Sequence, residues 1–127
     1  MNSFESKITK DRITIETVVD HTYIEHGINL SGTIYIEGVE SDDVLETIRL
    51  VVCKKNTKEI LTKQSFELVG TVASKGTQMI PFEIIPDERW LPAEGEEETH
   101  LTLQTVALFF DGSSEEDAGE LIFDIEE

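Results

Sequence analysis

The stretch that decides the fold runs His26-Gly27-Ile28-Asn29-Leu30-Ser31-Gly32-Thr33-Ile34-Tyr35-Ile36-Glu37-Gly38. Apolar side chains fall on every second position of it: Ile28, Leu30, Ile34 and Ile36. Because successive side chains of a β-strand point to opposite faces, this alternation predicts one strand with a buried face and a solvated face. The glycine near each end of the stretch indicates a turn there.

Similar alternation recurs along the chain. The strand-like segments are residues 12–19, 46–54, 59–69, 78–85, 101–110 and 120–125. Polar connections separate them, including an acidic loop over 87–99 and an acidic turn over 111–120. No segment shows a helical period with capping residues. About seven short strands with frequent turns predict an all-β protein, an immunoglobulin-like antiparallel β-sandwich.

The length of 127 residues and the 39% hydrophobic content suit one domain with its own core. Residues 1–11 are mostly polar and are predicted to form a loosely attached N-terminal arm, followed by a single sandwich domain over 12–127. Pro81 cannot donate a hydrogen bond to a neighbouring strand, which predicts a free edge near it. Gly32 lies on the predicted buried face, where another element is expected to pack closely.

The charge balance excludes several classes of partner. The chain carries 27 acidic and 10 basic side chains, for a formal net charge of −17. Since nucleic acids and anionic lipid surfaces attract Lys and Arg, we expect no nucleic-acid binding and no membrane insertion. The N-terminus lacks the basic start and apolar run of a secretory signal. Cys53 is the single cysteine, so no intrachain disulfide can form, and a cytoplasmic protein is predicted.

The charge is also uneven along the chain. After residue 86 the only basic side chain is Arg89, whereas residues 54–75 carry five lysines. An acidic end and a lysine-bearing face can meet across two copies, so self-association is one expected mode of contact.

Three groups of residues resemble a known family. The first is Tyr23-Ile24-Glu25-His26-Gly27-Ile28-Asn29-Leu30-Ser31-Gly32-Thr33-Ile34-Tyr35-Ile36, followed by Ile48-Arg49-Leu50. The second is Ile80-Pro81-Phe82-Glu83-Ile84-Ile85-Pro86, and the third comprises Leu103-Gln104-Thr105, Asp111 and Ile122-Phe123-Asp124-Ile125. Together they resemble the N-terminal half of arrestin-like proteins, and within that group the bacterial sporulation-control family. The chain departs from the pattern at Ile28-Asn29, which replace the usual glutamate after the first motif glycine.

The resemblance implies an arrestin-like sandwich that acts as an adaptor and not as an enzyme. Family members carry two arrestin-like halves, and the length of this chain suits one. The resemblance therefore predicts a non-catalytic regulatory or adaptor module without a cofactor, which binds other proteins or a second copy of itself through an exposed sheet edge.

The alternative function is a Ca²⁺- or small-ligand-binding sandwich that uses the acidic turn. Its candidate ligands are Asp111, Glu115, Glu116 and Asp117. Calcium prefers six to eight oxygen ligands, but the order of these residues breaks the EF-hand pattern. A solvated hairpin is therefore the preferred interpretation of the turn.

No residue pattern indicates catalysis or a structural metal. Cys53 lies in the middle of a predicted strand, as a small core side chain does. The three histidines, His21, His26 and His100, lack the convergent spacing of zinc ligands. Trp90 is predicted to fold over one end of the sandwich in preference to serving as an exposed binding anchor.

Overall fold

The computed structural model describes residues 4–10, 13–25, 27–38, 45–67, 78–92 and 94–124. This part of the chain forms nine β-strands and one short 3-10 helix. The strands are β1 (Phe4–Lys10), β2 (Ile13–Val19), β3 (Tyr23–Glu25), β4 (Leu30–Glu37), β5 (Leu45–Lys54), β6 (Ile60–Glu67), β7 (Gln78–Ile84), β8 (Glu98–Phe109) and β9 (Ser114–Asp124). The helix, Glu88–Trp90, lies between β7 and β8.

The strands form two sheets, in agreement with the predicted β-sandwich. One sheet has the order β1-β2-β4-β7 and the other has the order β3-β9-β8-β5-β6. All neighbours are antiparallel except β3 and β9, which are parallel. Below, they are called the four-stranded and the five-stranded sheet.

Alternating side chains of both sheets supply the core. In β4 the buried positions are Leu30, Gly32, Ile34 and Ile36, as the alternation predicts. In β8 every second residue from Thr99 to Phe109 is buried. Burial of apolar surface at about 25 cal/mol per Å² is the main term that holds such a sandwich together. The largest fully buried side chains are Trp90, Phe123, Ile15, Ile24, Leu30, Ile34, Ile36, Leu45, Ile48, Leu50, Leu61 and Leu101.

A hydrogen bond crosses the centre of this core. The hydroxyls of Thr17 in β2 and Thr105 in β8 lie 2.8 Å apart, and both residues are buried. A buried hydroxyl needs a hydrogen-bond partner, and here each of the two hydroxyls is the partner of the other. The pair also places β2 of one sheet directly over β8 of the other.

The stretch from residue 26 to residue 38 differs from its prediction at the N-terminal end. The strand starts at Leu30, and Ile28, predicted to be buried, is 51% exposed. The N–H of Ile28 donates to the carbonyl of Glu25 at 3.0 Å, and Gly27 has φ of +92°. The prediction for Ile28 is therefore wrong, because a local turn that needs positive φ interrupts the extended backbone before the alternation can continue.

Residues 4–10, which the sequence analysis assigned to an N-terminal arm, form strand β1. β1 pairs with β2 over seven residues, and its Ser6 and Ile8 side chains are buried. Among the side chains of β1 that the structure describes, Ile8 is the one buried apolar residue, so the strand character of this segment depends on the edge that β2 presents. Only the full sandwich makes this edge available.

The predicted acidic turn is much shorter in the structure. The chain turns within residues 110–113, where Gly112 has φ of +90° and its N–H donates to the carbonyl of Phe109 at 3.0 Å. Strand β9 begins at Ser114 and pairs with β8 in unbroken register to Asp124. The prediction of a turn over 111–120 is wrong, because a long neighbouring strand provides backbone partners even where side chains are acidic and exposed.

The free sheet edge predicted near Pro81 is confirmed. β7 is the last strand of the four-stranded sheet among the described residues, and Pro81 is exposed on it. The expected connections at residues 39–44 and 69–76 lie outside the described residues.

Candidate binding surface

The four proposed calcium ligands occupy three different environments. Asp111 lies in the tight turn between β8 and β9, while Glu115, Glu116 and Asp117 lie on β9. Since side chains alternate along a strand, Glu116 points to the opposite face from Glu115 and Asp117. Glu116 accepts a hydrogen bond from the amide of Gln104 at 2.9 Å. No group of three or more His, Cys, Asp or Glu side chains able to hold a metal ion occurs within the described ranges.

The carboxylate of Asp111 takes part in a structural tie. It accepts hydrogen bonds from the backbone N–H of Ser113 at 2.8 Å and from Lys10 Nζ at 3.3 Å. Hydrogen bonds from Ser113, reinforced by Lys10, lower the pKa of Asp111 to about 2. Lys10 also donates to the Ser113 hydroxyl and lies 4.4 Å from the centre of the Phe109 ring. These contacts fasten the end of β1 to the β8–β9 turn.

Asp117 contributes a second tie to β1. Its carboxylate accepts a hydrogen bond from the backbone N–H of Lys7 at 2.8 Å. A carboxylate that accepts from the main chain of an edge strand satisfies a donor that has no ladder partner on that side. Two of the proposed calcium ligands therefore hold β1 in place.

Cys53 does not have the environment of a nucleophile. It lies half-buried on the outer face of β5. Burial raises the pKa of the Cys53 thiol, and the nearby Lys63 lowers it by less. Because the thiolate is the reactive form, a raised pKa disfavours nucleophilic reactivity of this side chain.

Trp90 packs inside the sandwich and not on its surface. It is fully buried, and its ring meets the edge of Phe123 at a centroid distance of 6.0 Å and an interplanar angle of 72°. The side chain of Asp87 accepts from the N–H of Arg89 and caps the short helix that carries Trp90. The structural interpretation of Trp90, a side chain folded over one end of the sandwich, is confirmed.

Arg89 joins the same loop to the far edge of the five-stranded sheet. Its guanidinium lies 2.8 Å from the carboxylate of Asp87 and donates to the carbonyl of Leu61 in β6. The hydrogen bond from Arg89 holds the pKa of Asp87 below its usual range. The loop after β7 is therefore anchored on both sides, by Trp90 in the core and by Arg89 on β6.

This anchored loop forms one wall of an open cavity at the end of the sandwich. The cavity has a volume of about 370 Å³, within the range of ligand-binding pockets. Its lining residues are Gly27, Asn29, Ile85, Pro86, Asp87, Glu88, Leu91 and Phe123. The turn before β4, the loop after β7 and the end of β9 thus meet around it.

Three large apolar side chains stay exposed around the cavity. Ile85 is 72% exposed, Leu91 is 38% exposed, and Ile28, which lies between two lining residues, is 51% exposed. We call Ile28, Ile85 and Leu91 the apolar end patch. Isolated exposed apolar residues are ordinary, but a group around one concave site indicates an interaction surface.

Comparison with known proteins finds no matching family model and no matching curated protein. The assignment of a two-sheet all-β architecture therefore rests on the strand order in the structure.

Two acidic side chains line the cavity, and more follow in the same loop. Asp87 and Glu88 line it, and the segment from 87 to 98 contains Asp87, Glu88, Glu94, Glu96, Glu97 and Glu98 against the single basic residue Arg89. Arg89 forms an ion pair with Asp87 and attracts Glu88 less strongly, so the two carboxylates of the wall are only partly compensated.

Positive charge gathers elsewhere, on the β5–β6 hairpin. This hairpin, residues 45–67, carries Arg49, Lys54, Lys55, Lys58 and Lys63. Three of its lysines, Lys54, Lys55 and Lys58, line a shallow depression of about 310 Å³ on the outer face of the five-stranded sheet. Lys55 Nζ lies 2.6 Å from Glu120, and the resulting hydrogen bond lowers the pKa of that carboxyl.

The apolar end patch was not predicted from the sequence, although one signal was present. Ile80, Phe82 and Ile84 alternate inward along β7, so the next residue, Ile85, has the parity of the solvated face. An isoleucine on that face, directly before Pro86, marks an apolar side chain left outside the core. Leu91 carries no such signal, since its exposure depends on how the short helix places Trp90 inward.

The only helix in the described part of the chain spans three residues, and none there is long and apolar enough to cross a membrane.

Proposed function

We propose that this chain is a non-catalytic regulatory or adaptor module of the arrestin-like, sporulation-control type, which binds another protein in the cytoplasm. The observation that carries the proposal is the apolar end patch, where large apolar side chains remain exposed around one cavity. Exposed apolar groups beside a pocket are characteristic of surfaces that bind partners, because the partner removes them from water.

The resemblance to arrestin-like N-terminal halves supports the adaptor role. The two longest matching segments fall on β4 and β7, and these strands are neighbours in one sheet. The turn that precedes β4 and the loop that follows β7 both contribute to the cavity. The segments that carry the resemblance thus also build the proposed binding surface.

The state of the described side chains favours binding over catalysis. The raised pKa of Cys53 keeps it protonated, and the ring nitrogen of His100 lies 3.4 Å from the exposed carboxylate of Glu98. Several acidic side chains of β9 have structural partners: Asp117 binds β1, Glu116 binds Gln104 and Glu120 binds Lys55. No observation favours the alternative of a calcium- or small-ligand-binding sandwich.

An exposed sheet edge is the second surface available for protein contacts, including contacts between copies. β7 is such an edge, but its Pro81 lacks an N–H and its Glu83 is exposed and charged. Proline and charge on an edge strand hinder the addition of another strand. The end patch is therefore the principal contact surface in this proposal, and the edge is secondary.

The experiment compares two substitutions of exposed apolar residues. Immobilised wild-type chain, Ile85→Ser and Met79→Ser are each incubated with the same bacterial lysate, and retained proteins are quantified by mass spectrometry. Met79 is 65% exposed on β7 but does not line the cavity, so it is a matched control for Ile85. We expect at least one protein to be retained by wild type and Met79→Ser, and to bind Ile85→Ser about tenfold more weakly, as for loss of one central apolar contact.

Both variants are expected to keep the wild-type thermal midpoint, because exposed substitutions usually change stability by about 0.5 kcal/mol or less. The proposal fails when no retained protein distinguishes Ile85→Ser from Met79→Ser.

A further inference from the structure

We propose that the cavity at the end of the sandwich binds a basic segment of the partner protein, with one apolar side chain of that segment inserted between Ile85 and Leu91. This inference rests on the proposed function and adds the chemistry of the partner. Two independent features of the site, its apolar lining and its surrounding charge, point to this type of segment.

The lining selects an apolar side chain. Ile85, Pro86, Leu91 and Phe123 supply carbon surface to the open cavity. An apolar side chain that enters from the partner removes this surface from water on both molecules. Such a contact anchors a short segment without the support of a large interface.

The charge around the cavity selects basic neighbours for that side chain. Asp87 and Glu88 line the cavity, and the neighbouring Arg89 pairs with Asp87 at 2.8 Å and attracts Glu88 less strongly, so two carboxylates face one guanidinium and the wall keeps a net negative charge. The other carboxylates of the loop, Glu94, Glu96 and Glu97, are exposed. Lys or Arg on either side of the inserted residue would meet this negative field, which persists over roughly 8 Å at physiological ionic strength.

The main competing occupant is a second copy of this chain, with its β5–β6 hairpin placed against the acidic end. Two observations oppose it. Each copy carries a formal net charge of −17, so two copies repel before any local contact forms. Two of the hairpin lysines are also paired within the chain, Lys55 with Glu120 at 2.6 Å and Lys54 with Glu59 at 4.0 Å. A basic partner avoids both costs.

Three synthetic peptides test the chemistry directly. They have the sequences Lys-Lys-Leu-Lys-Lys, Glu-Glu-Leu-Glu-Glu and Lys-Lys-Ser-Lys-Lys, with blocked ends, and are titrated into the full chain to millimolar concentration. Trp90 is the single tryptophan and contacts Phe123 of the cavity wall, so its fluorescence and indole N–H resonance report occupancy. We expect only the first peptide to shift both signals, with an affinity that falls as salt is added.

Charge reversal provides the matched pair of variants. Glu88→Lys changes a residue of the cavity wall, whereas Glu83→Lys makes the same change of charge on the exposed face of β7. At low salt we expect Glu88→Lys to weaken binding of Lys-Lys-Leu-Lys-Lys by roughly three- to tenfold more than Glu83→Lys does, as expected for a surface ion pair replaced by a repulsion.

The outcomes separate this inference from the proposed function. Equal responses to all three peptides, a preference for the acidic peptide, or no response at millimolar concentration overturns the basic-segment inference. The proposed function still stands when the lysate experiment shows partners that are lost with Ile85→Ser. A dimer in light scattering that Ile85→Ser converts to monomer would instead identify a second copy as the occupant and overturn the inference.

Discussion

At the scale of single residues, Gly32 has no room for a side chain. A Cβ atom built on it would lie 2.3 Å from the carbonyl oxygen of Val18 and 2.8 Å from Cζ of Phe82. Real Cβ atoms do not approach other atoms so closely, and the first of these contacts is with backbone. Both contacts come from the strands that flank β4 in its own sheet, β2 and β7.

Substitution of Gly32 therefore tests the packing between β2, β4 and β7. We expect Gly32→Val to lower the free energy of unfolding by about 1–3 kcal/mol or more, because the added atoms force either the strand or the Phe82 ring to move. Urea denaturation measures the change. Thr33→Val, one residue along on the outward face of the same strand, is the control and should be near neutral.

The threonine pair in the core gives a second test at this scale. Thr17→Val leaves the Thr105 hydroxyl buried without a partner and should cost about 1–3 kcal/mol. When both threonines are replaced by valine, no buried hydroxyl is left without a partner. The double variant should therefore lose less stability than the sum of the two single losses. A double-mutant cycle measures the coupling, and strict additivity would contradict a direct hydrogen bond between the two side chains.

At the scale of elements, two carboxylates tie β1 to the β8–β9 hairpin. Asp111 and Asp117 both bind it, the first through Lys10 and the second through the N–H of Lys7. Charge-assisted hydrogen bonds of this kind depend on ionised carboxylates. The attachment of β1 is therefore expected to respond to acid before the apolar core does.

The lowered pKa of Asp111 sets the pH range of that response. Its ordinary value is 3.8 and its folded value is about 2, so ionised Asp111 stabilises the folded state above the ordinary value. This contribution is lost as the pH falls from about 4 toward 2. We expect Asp111→Ala to lower the thermal midpoint at about pH 6 and to match wild type at about pH 2.

Glu115→Ala is the control for this titration, since it removes a carboxylate from the same region without breaking a described tie to β1. A difference between Asp111→Ala and wild type that stays constant with pH would contradict the linkage.

The strands that were predicted differ from those that were missed in whether their own residues show an alternating apolar pattern. Alternating apolar residues occur in β4, β5, β7 and β8, so the sequence of each of these strands predicts its buried face. β1, β3 and the first half of β9 lack that pattern, and each becomes a strand because a neighbour offers unpaired backbone groups. Such pairing depends on residues far away in the chain and is not visible in a local window.

At the scale of the whole molecule, the candidate site shows the same limit. The parity of Ile85 predicts one exposed apolar residue, but the cavity needs the turn at Gly27, the loop at 85–91 and the end of β9 in one place. The acidic character of the surrounding loop was evident from composition alone. What composition does not show is that acid and apolar surface meet at the same end of the sandwich.

The position of β9 has a consequence for how the chain folds as it is synthesised. β9 lies between β8 and β3 in its sheet, and its Asp117 also holds β1. Tyr23 of β3 donates to Asp124 of β9, a partner about a hundred positions later in the chain. Synthesis proceeds at about 5–20 residues per second, so several seconds pass between the synthesis of the N-terminal strands and that of β9, the last described strand. During that time β3 lacks its strand partner, while β1 is paired with β2 but lacks the contact with Asp117, and nascent chains of this protein are expected to need protection by chaperones until β9 emerges.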